Sequence, residues 1–422
     1  MVSIVPVPTP TGKLSSPART NGANAQGDKP MPIDIRARLV SAPRRAGYSC
    51  SLLATQANYY GDSLAHRGAD AEWLAQSALQ YEALGYDSAL IPQRSGWPDV
   101  WALTAWALAT TKRFAIAAAH RVGLQNPTAA ARSIATLHEL SGGRVSAHVI
   151  LGTTDADQQR DGDFLDKSTR YRRAAEYFQV VRLWLESENP FDFDGEFYRI
   201  KDALAGHHPG SFVLSYGGSS NESLDLAGRY ADVYAVTAEP LAGTSELMGR
   251  VREIAASFGR QVSFWFSGPN FILGETDAAA RRKAAEITAE LLVARDYQER
   301  RNIGLAHGIN EQAESVNRQR FLRNVYDAGD WHDKAMYTGI GRITGYGWPA
   351  FVGSPETVAD ALLDYYDLGV RVFGIGMSID AEEDQELAQD LFQRLRAGAE
   401  GRDNDLPATR RRSSGFHEKL GS

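Results

Sequence analysis

Strand-like and helix-like segments alternate along most of this chain, and this alternation constrains its fold more than any other feature. Short apolar runs that favour strands lie at 48–55, 86–92, 113–122, 144–151, 211–218, 231–238, 261–273 and 370–377, and helical spacing of apolar residues follows most of them. Such alternation is typical of a parallel sheet with right-handed crossovers. Eight units favour closure into a (β/α)8, or TIM, barrel, and an open doubly wound sheet is the alternative.

Two long segments interrupt the repeat, one after the fourth strand and one before the eighth. Residues 153–210 include a helix at 168–187 and a hairpin at 191–200, while residues 290–350 combine a charged helix with a glycine- and aromatic-rich loop. Loops this long inside a compact domain are usually lids or binding loops. In a barrel they follow the C-terminal ends of strands, where active sites form, so we expect both insertions to border a site.

The two ends of the chain differ in composition from the middle. Seven of the 17 prolines precede residue 45, and the last stretch is polar with three consecutive arginines at 410–412. Such composition is typical of segments that do not pack a core. The start also lacks the basic and apolar regions of a secretory signal. We therefore predict a disordered tail at 1–44, a barrel domain at 45–400 and a flexible polar tail at 401–422.

Charge and cysteine content narrow the possible partners. The chain carries 45 basic and 52 acidic residues, a net charge of −7, which disfavours general binding to nucleic acid. Its single cysteine, Cys50, excludes an internal disulfide and a thiolate metal cluster, and fits a reducing cytoplasm. The sequence has no run of eighteen apolar residues, so it predicts no membrane span. We expect a cytoplasmic protein that acts on a small molecule.

The segment "SYGGSSNE" is the best candidate anion site. The fifth recognisable strand ends in Gly217 and Gly218, and Ser219 and Ser220 open the next helix. Glycines let a phosphate approach the backbone, and the hydroxyl and N–H groups of a helix N-terminus can hold it. The alternative is ordinary helix capping by serine.

Two histidines stand on neighbouring predicted strands. His148 lies in the fourth strand, which ends in Gly152 and Thr153, and His120 lies in the third strand with Arg121 after it. Small residues such as glycine and threonine at a strand end can bind a ring or phosphate without blocking it. The alternative for each histidine is a satisfied core residue. No third ligand stands at a useful spacing, so we expect no metal.

The insertions add three further kinds of candidate. Tyr171, on the helix of the first insertion, faces either the site or the packing interior. In the second insertion Tyr337, Tyr346 and Trp348 would suit a lid over a flat ring, and Arg342 is the cation beside them. The alternative for that cluster is a structured surface loop.

Several motifs in the same order resemble the bacterial-luciferase-like flavin monooxygenases. They are "NPTAAARSIATLHELSGGRVSAHVILG", "DGDFLDKSTRYRRAAEYFQVVRLWL", "FDFDGEFYRI", "SYGGSS" and "AFVGSPETVADALLDYYDLGVRVFGIG", within residues 48–398. Within the family the alkanesulfonate monooxygenases look most similar. The resemblance implies a barrel, reduced FMN (FMNH2) as cosubstrate, O2 as oxidant, a separate NAD(P)H-dependent flavin reductase, and a homodimer or homotetramer.

The resemblance also implies roles for individual residues. His148 stands where the family usually has an asparagine beside the flavin. The cofactor-binding residues carried over by position are His148, Gly152, Thr153, Tyr171, Gly218, Ser219 and Ser220. As catalytic residues near the reacting groups or the substrate we predict His120, Arg121, Asn270 and Arg342.

Most positions that handle a sulfonate in the similar enzymes differ here. A histidine near the end of the first strand is replaced within Gln56–Asn58, and a cysteine by Trp97. An arginine-x-histidine pair corresponds to Gly268 and Asn270, and a loop arginine falls near Thr344. The substrate therefore stays open, and aromatic stretches favour one that is less anionic. The alternatives are a deazaflavin-dependent oxidoreductase on the same fold and a flavin-binding protein without turnover.

Overall fold

The structure, a computed structural model, describes residues 33–41, 68–152, 155–204, 212–300, 328–344, 349–377 and 381–405. Within them the strands are β1 (Asp34–Arg38), β2 (Ser88–Ile91), β3 (Ala115–Arg121), β4 (Val145–Ile150), β5 (Phe191–Asp194), β6 (Arg199–Ala203), β7 (Leu214–Gly217), β8 (Val233–Thr237), β9 (Ser263–Ser267), β10 (Asn270–Leu273), β11 (Trp331–His332), β12 (Met336–Tyr337), β13 (Ala350–Gly353) and β14 (Val370–Gly374). The helices are α1 (Ala71–Leu84), α2 (Val100–Thr110), α3 (Pro127–Ser141), α4 (Asp155–Arg160), α5 (Lys167–Glu186), α6 (Asn221–Tyr230), α7 (Leu241–Ser257), α8 (Asp277–Arg300), α9 (Gly339–Thr344), α10 (Pro355–Asp367) and α11 (Glu382–Asp405).

Eight parallel strands form a closed barrel in the order β1-β14-β9-β8-β7-β4-β3-β2, which confirms the predicted (β/α)8 TIM barrel. The ring closes at β1, where Arg36 lies opposite Ser88 of β2 and Asp34 opposite Val372 of β14. A closed ring leaves no unpaired edge, so every barrel strand is paired on both sides.

The prediction that residues 1–44 form only a tail was wrong for its last part, because β1 is the first strand of the barrel. Ile35 and Ala37 pack in the main core, whereas Asp34 and Arg36 are buried as an ion pair. A short strand with charges at alternate positions, beside a proline-rich stretch, does not show the apolar pattern of a buried parallel strand. The strand predicted at 48–55 lies outside the described residues.

The strand predicted at 261–273 is two strands in two sheets. Gly268 adopts φ of 95°, and Pro269 has no N–H to donate, so the barrel ladder stops after β9. β10 then pairs with β13 of a separate four-stranded sheet, with Asn270 opposite Ala350. At the other end of the domain, α11 runs to Asp405, past the predicted boundary at 400.

Both predicted insertions are confirmed. Between β4 and β7 the chain forms α4, α5 and the antiparallel hairpin of β5 and β6. Between β9 and β14 it forms the four-stranded sheet together with α8 and α9, which share a second small core that includes Ile272, Ala284, Ile340 and Val352. Within the described segments, no helix has the length and apolar character to cross a bilayer.

Side chains along each barrel strand point alternately toward the surrounding helices and toward the barrel interior. On β3 and β4, Ile116, Ala118, Val145 and Val149 pack in the main core with the surrounding helices. A separate apolar cluster fills part of the interior; it comprises Val233 and Ala235 of β8, Trp265 of β9, Val372 of β14 and Val213, which immediately precedes β7. Because side chains alternate along a strand, the residues between the outward ones face the interior.

Local signals set the direction in which β4 enters the barrel. The Asn126 side chain accepts a hydrogen bond from the Thr128 N–H at 3.2 Å, and Pro127 occupies the first turn of α3. The helix ends at Gly142, whose φ of 65° is the left-handed conformation of a C-cap. Three residues later β4 begins, so this helix–turn–strand unit places His148.

Candidate active site

His148 of β4 lies in the barrel interior, in a polar layer. Its Nδ1 is 3.0 Å from the Ser215 hydroxyl of β7, and its ring meets the Trp265 ring edge-on at 4.9 Å. The Arg36 guanidinium lies over the same Trp265 ring, 4.7 Å from its centre. Arg36 is held by Asp34 at 2.5 Å. The layer therefore joins β1, β9, β4 and β7 through stacked and hydrogen-bonded side chains.

The His148 ring is neutral at physiological pH. Burial, helped by the positive charge of Arg36, lowers the pKa of His148 to about 3. The side chain is only 9% exposed. A neutral imidazole has one N–H donor and one unprotonated acceptor nitrogen, so His148 offers a ligand one directed hydrogen bond rather than a charge.

Three hydroxyl groups cluster where β7 ends and α6 begins, and we call Tyr171, Ser220 and Ser223 the hydroxyl cradle. The Tyr171 hydroxyl lies 2.9 Å from Ser220 Oγ and 2.7 Å from Ser223 Oγ. Ser220 caps α6 by accepting from the Ser223 N–H at 3.2 Å. Tyr171 comes from α5 in the first insertion, so the insertion completes a cradle that the barrel begins.

The two glycines at the end of β7 leave no room for side chains. A Cβ on Gly218 would overlap the Ser223 hydroxyl, and the Gly218 carbonyl accepts from the Tyr234 hydroxyl at 2.5 Å. A Cβ on Gly217 would be 3.0 Å from the Ala235 carbonyl oxygen and 3.7 Å from His148 Cε1. Gly217 thus approaches His148, and its neighbour Gly218 approaches the cradle, so two adjacent glycines link the two features along the chain.

The donors of the cradle fit a phosphate. Hydroxyls that can donate, the first N–H groups of a ten-residue helix and a glycine backbone are the groups that bind phosphate at helix N-termini. Arg250 donates to Asn221 at the same helix start, at 2.8 Å. Glu222 in the first turn carries a negative charge, and its own backbone N–H and the Ser220 hydroxyl lower its pKa. Ser219, half-buried, lies between Gly218 and Ser220.

Gly152 serves the turn into the first insertion. Its φ is 84°, and a Cβ there would overlap the Gln158 side chain. Gln158 Nε2 donates to the Leu151 carbonyl at 2.7 Å and so packs α4 onto the end of β4. The open space that glycine provides at 152 is therefore filled by Gln158. Thr153 lies outside the described residues.

His120 does not share the space of His148. In the register of β3 and β4, Ala119 is the residue opposite His148, so His120 faces the other side of the sheet. Its Nε2 is 2.5 Å from the Tyr177 hydroxyl of α5, and its ring lies 5.1 Å from the Trp101 ring of α2. Burial lowers the pKa of His120 to about 4. The structure places His120 in the layer between barrel and helices.

Arg121 faces the C-terminal end of the barrel but is already paired. Its guanidinium contacts Asp157 at 3.1 Å and also Asp161, and its backbone N–H donates to Gln93 at 3.1 Å. The side chain is 2% exposed. Arg121 therefore attaches α4 and the turn after it to the barrel.

Asn270 holds a buried donor group with no acceptor. The residue is 8% exposed, and its Nδ2 makes no hydrogen bond within the described structure. Trp265 Nε1 is likewise buried without a partner among the described residues. The backbone of Asn270 bridges to Gly376, and Trp265 Nε1 approaches Gly374, so both residues lie near the end of β14. Buried donors without partners are uncommon in folded proteins and suit a site that a ligand completes.

The remaining candidates of the second insertion are described only in part. The backbone of Arg342 lies in α9, but its side chain is outside the described structure, as are Tyr346 and Trp348. Tyr337 is 8% exposed and packs in the small core of the insertion. In the described part of the chain, no group of three or more histidine, cysteine, aspartate or glutamate side chains could hold a metal ion.

Sequence reasoning missed four residues of this site: Arg36, Ser215, Ser223 and Trp265. Arg36 fell in the predicted tail. Ser215 and Trp265 stand at inward positions of their strands, and the pairing of Ser215 with His148 follows from the register of β4 and β7, which local pattern does not determine. Ser223 is the third residue of α6, and its closeness in sequence to Ser220 was only a weak indication that its hydroxyl belongs to the same site.

The closed (β/α)8 barrel carries the hydroxyl cradle at the C-terminal end of β7, on the face where enzymes with this fold have their active sites. Residues 51–372 match the model of the luciferase-like monooxygenase family. The match covers most of the chain, which belongs to this family of oxidoreductases with a flavin-binding fold.

Several solved structures share the fold at low sequence identity. A riboflavin lyase with modified FMN and riboflavin is 17% identical with a TM-score of 0.66, over 91% of this chain and 96% of its own. EDTA monooxygenase from Chelativorans sp. BNC1 is 17% identical with a TM-score of 0.65, over 92% and 98%. An F420-dependent secondary alcohol dehydrogenase is 17% identical with a TM-score of 0.58, over 86% and 99%.

Proposed function

We propose that this protein is the oxygenase of a two-component system, which uses reduced FMN and O2 to oxidise a small organic substrate. One observation carries the proposal: Gly217 and Gly218, adjacent at the end of β7, approach His148 and the hydroxyl cradle respectively. A phosphate bound by the cradle would direct the attached ring toward His148. Family membership supports the flavin and the monooxygenase reaction.

The hydroxyl cradle would hold the FMN phosphate. Tyr171 approaches from α5, and Ser219, Ser220 and Gly218 approach from the turn between β7 and α6. The flavin, when bound, supplies the reaction with O2 and the transfer of one oxygen atom. The chain binds the phosphate, orients the ring through His148 and keeps water from the ring with the buried barrel interior.

The substrate would be an uncharged or weakly anionic molecule that carries a hydrogen-bond acceptor. Asn270 Nδ2 and Trp265 Nε1 are buried donors without partners in the described structure, which suits a carbonyl or similar oxygen. Arg36 and Arg121 are both paired with aspartates, so neither charge is available to a sulfonate. A function similar to that of alkanesulfonate monooxygenases stays within the proposal, with Arg342 as the cation that could meet such a group.

Partners and setting follow from the same proposal. Reduced FMN would come from a separate NAD(P)H-dependent flavin reductase, and the enzyme would act in the cytoplasm as a homodimer or homotetramer. Light scattering of the purified chain tests the assembly, and coupled turnover with and without a flavin reductase tests the partner. His120, which packs between layers, would support the site through α5 rather than touch the flavin.

A deazaflavin-dependent oxidoreductase is the second candidate. The similarity in fold to an F420-dependent secondary alcohol dehydrogenase favours it, and the hydroxyl cradle could equally hold the phosphate of a deazaflavin. Such an enzyme would transfer a hydride and would not consume O2.

Anaerobic titration with reduced FMN, followed by a pulse of oxygenated buffer, separates these functions. We expect saturable binding of reduced FMN and then flavin absorbance changes that differ from those of free reduced FMN. Binding without such a change would support a flavin-binding protein without turnover. Binding of a reduced deazaflavin but not of reduced FMN would support the second candidate and contradict the first.

Tyr171→Phe tests the cradle directly, because it removes one hydroxyl and keeps the ring. We expect the affinity for reduced FMN to fall about tenfold or more, which corresponds to the loss of one hydrogen bond to a charged group. The affinity for reduced riboflavin, which has no phosphate, should stay the same. An equal loss for both ligands would place the phosphate elsewhere.

A further inference from the structure

Ser215 makes two hydrogen-bond contacts, and together they restrict where its proton can be. Its Oγ lies 3.0 Å from His148 Nδ1 and 3.3 Å from the carbonyl oxygen of Ala147. All three groups are buried, with Ser215 only 2% exposed. Burial therefore keeps bulk water from replacing either partner.

The number of protons at Ser215 decides the direction of the bond to His148. A carbonyl oxygen can only accept, so the contact with Ala147 is a hydrogen bond only when the serine hydroxyl donates its one proton there. In that arrangement both contacts of Ser215 are hydrogen bonds only if the serine oxygen accepts from a proton on His148 Nδ1. A neutral ring with Nδ1 protonated has an unprotonated Nε2.

The surroundings keep the ring neutral and leave Nε2 for a ligand. Arg36 is the cation of this layer, and its partner Asp34 is bound to Arg36 and to the Ser88 hydroxyl instead of to the imidazole. Toward the ring, β9 presents the uncharged Trp265. No acid in the described surroundings pairs with His148, which is consistent with its lowered pKa.

The two ring nitrogens of His148 differ in their contacts. Nδ1 is bound to Ser215, and Cε1 lies toward Gly217, two residues farther along β7 in the direction of the hydroxyl cradle. Nε2 is bonded to Cε1 and is the nitrogen left after Nδ1 is used. In the Nδ1-protonated ring, Nε2 is therefore the acceptor nitrogen left for a ligand.

We propose that Ser215 is a positioning residue that holds His148 in its Nδ1-protonated form, so that Nε2 accepts a hydrogen bond from an N–H or O–H group of the bound ring. The identity of that ring as a reduced flavin, which has ring N–H donors, rests on the proposed function. An asparagine could turn either its donor or its acceptor toward a ligand, whereas this histidine offers an acceptor only. Ser215 and His148 together thereby favour a bound ring that is protonated at the atom facing His148 Nε2.

Nitrogen NMR of the full-length protein without ligand tests the proton position directly. With 15N-labelled histidine, the His148 signals are assigned as those missing from His148→Asn, among the nine histidines of the chain. We expect Nδ1 to show the shift of a protonated nitrogen and Nε2 that of an unprotonated one at pH 7. A proton on Nε2, or on both nitrogens, would overturn the proposal.

Ser215 variants separate positioning from packing. Ser215→Ala removes the acceptor, so the Nε2-protonated form should gain population, while Ser215→Thr keeps a hydroxyl and should keep the wild-type pattern. If the alanine variant fails to fold, the threonine variant and the wild-type pattern still decide the question. A wild-type pattern in Ser215→Ala would show that Ser215 does not set the proton position.

Ligand binding gives the second readout. Ser215→Ala should weaken the binding of reduced FMN about fivefold to tenfold, because the ring would meet a donor instead of an acceptor, and Ser215→Thr should restore it. Absence of flavin binding in every variant, with the expected nitrogen shifts, would contradict the proposed function and leave the proton position established. Flavin binding without the expected nitrogen shifts would contradict the role of Ser215 and leave the proposed function intact.

Discussion

His148 and His120 stand on adjacent strands, but they face opposite sides of the sheet. His148 shares the interior with Trp265 and Ser215, whereas His120 packs against Tyr177 outside the barrel. The difference comes from a single residue of register, since Ala119 and not His120 lies opposite His148. At the residue scale, the side of the sheet decides which histidine can meet a ligand.

Replacement of each histidine should therefore affect a different property. His148→Leu should lower the affinity for reduced FMN about fivefold or more, because it removes a hydrogen-bonding group beside the ring. His120→Leu should lower the free energy of unfolding by about 1–3 kcal/mol, because it leaves the Tyr177 hydroxyl unpaired in a buried layer. Flavin titration and urea denaturation of both variants measure the two effects.

The two variants also serve as controls for each other. Flavin affinity should be nearly unchanged in His120→Leu if that residue only packs. Unchanged affinity in His148→Leu would remove the ring from the site, whatever the stability of that variant.

Acid should destabilise the fold through the same two histidines. Burial lowers the pKa of His148 to about 3 and of His120 to about 4, below the value of about 6.5 in an unfolded chain. Between about pH 6.5 and these lower values the unfolded chain binds protons that the folded chain does not. The stability that these two histidines contribute is therefore fully present above about pH 6.5 and falls with acidification, by up to about 1.4 kcal/mol per pH unit for each histidine.

Urea denaturation between pH 7 and pH 5 measures this loss. Relative to wild type, His120→Leu should show a shallower decrease in the free energy of unfolding, because one of the two groups is absent. A steeper decrease than wild type would contradict the proposed linkage.

At the scale of elements, the first insertion is tied to the barrel by polar contacts. α4 is held through Arg121 and Gln158, and α5 brings Tyr171 to the start of α6. Helix α4 itself has only six residues, too few for independent stability, so its position depends on these contacts. The hairpin and the long helix of this insertion were predictable from local pattern, but these tertiary contacts were not.

Two glycines with similar backbone angles test how closely α4 must pack. Gly152 has φ of 84° with Gln158 against it, whereas Gly162 has φ of 83° and no described atom within 4 Å of where a Cβ would lie. Gly152→Ala should cost more free energy of unfolding than Gly162→Ala, which carries only the backbone strain of about 1 kcal/mol. Gly152→Ala should also speed amide exchange in α4.

The difference between these two variants isolates the overlap with Gln158. Equal losses in thermal denaturation would mean that Gln158 moves away without cost and that α4 packs loosely.

At the scale of the whole molecule, the barrel depends on a strand that lies far from the rest in sequence. β1 hydrogen-bonds to β2 and to β14, more than 300 residues later, so it closes the ring. The buried ion pair of Asp34 and Arg36 lies on this strand, and the Tyr86 hydroxyl donates to the Ile375 carbonyl near the same closure at 3.0 Å.

Deletion of residues 1–41 should therefore prevent folding, because β2 and β14 would each lose a strand partner. Deletion of residues 1–30, which keeps β1, should preserve the wild-type melting transition if that segment is the tail its composition predicts. Circular dichroism and thermal melts of the two truncated chains measure the difference. A wild-type melt for the longer deletion would show that β1 is dispensable.

The sequence by itself determined the barrel, its two insertions and the glycine–serine candidate anion site, because these depend on local periodicity and on short motifs. Only the tertiary structure decided that Asp34–Arg38 closes the ring, that His120 faces outward, and that Ser215 is the hydrogen-bond partner of His148. Each of these depends on which strands pair and in which register. A register is fixed by contacts between residues distant in sequence, so local pattern cannot determine it.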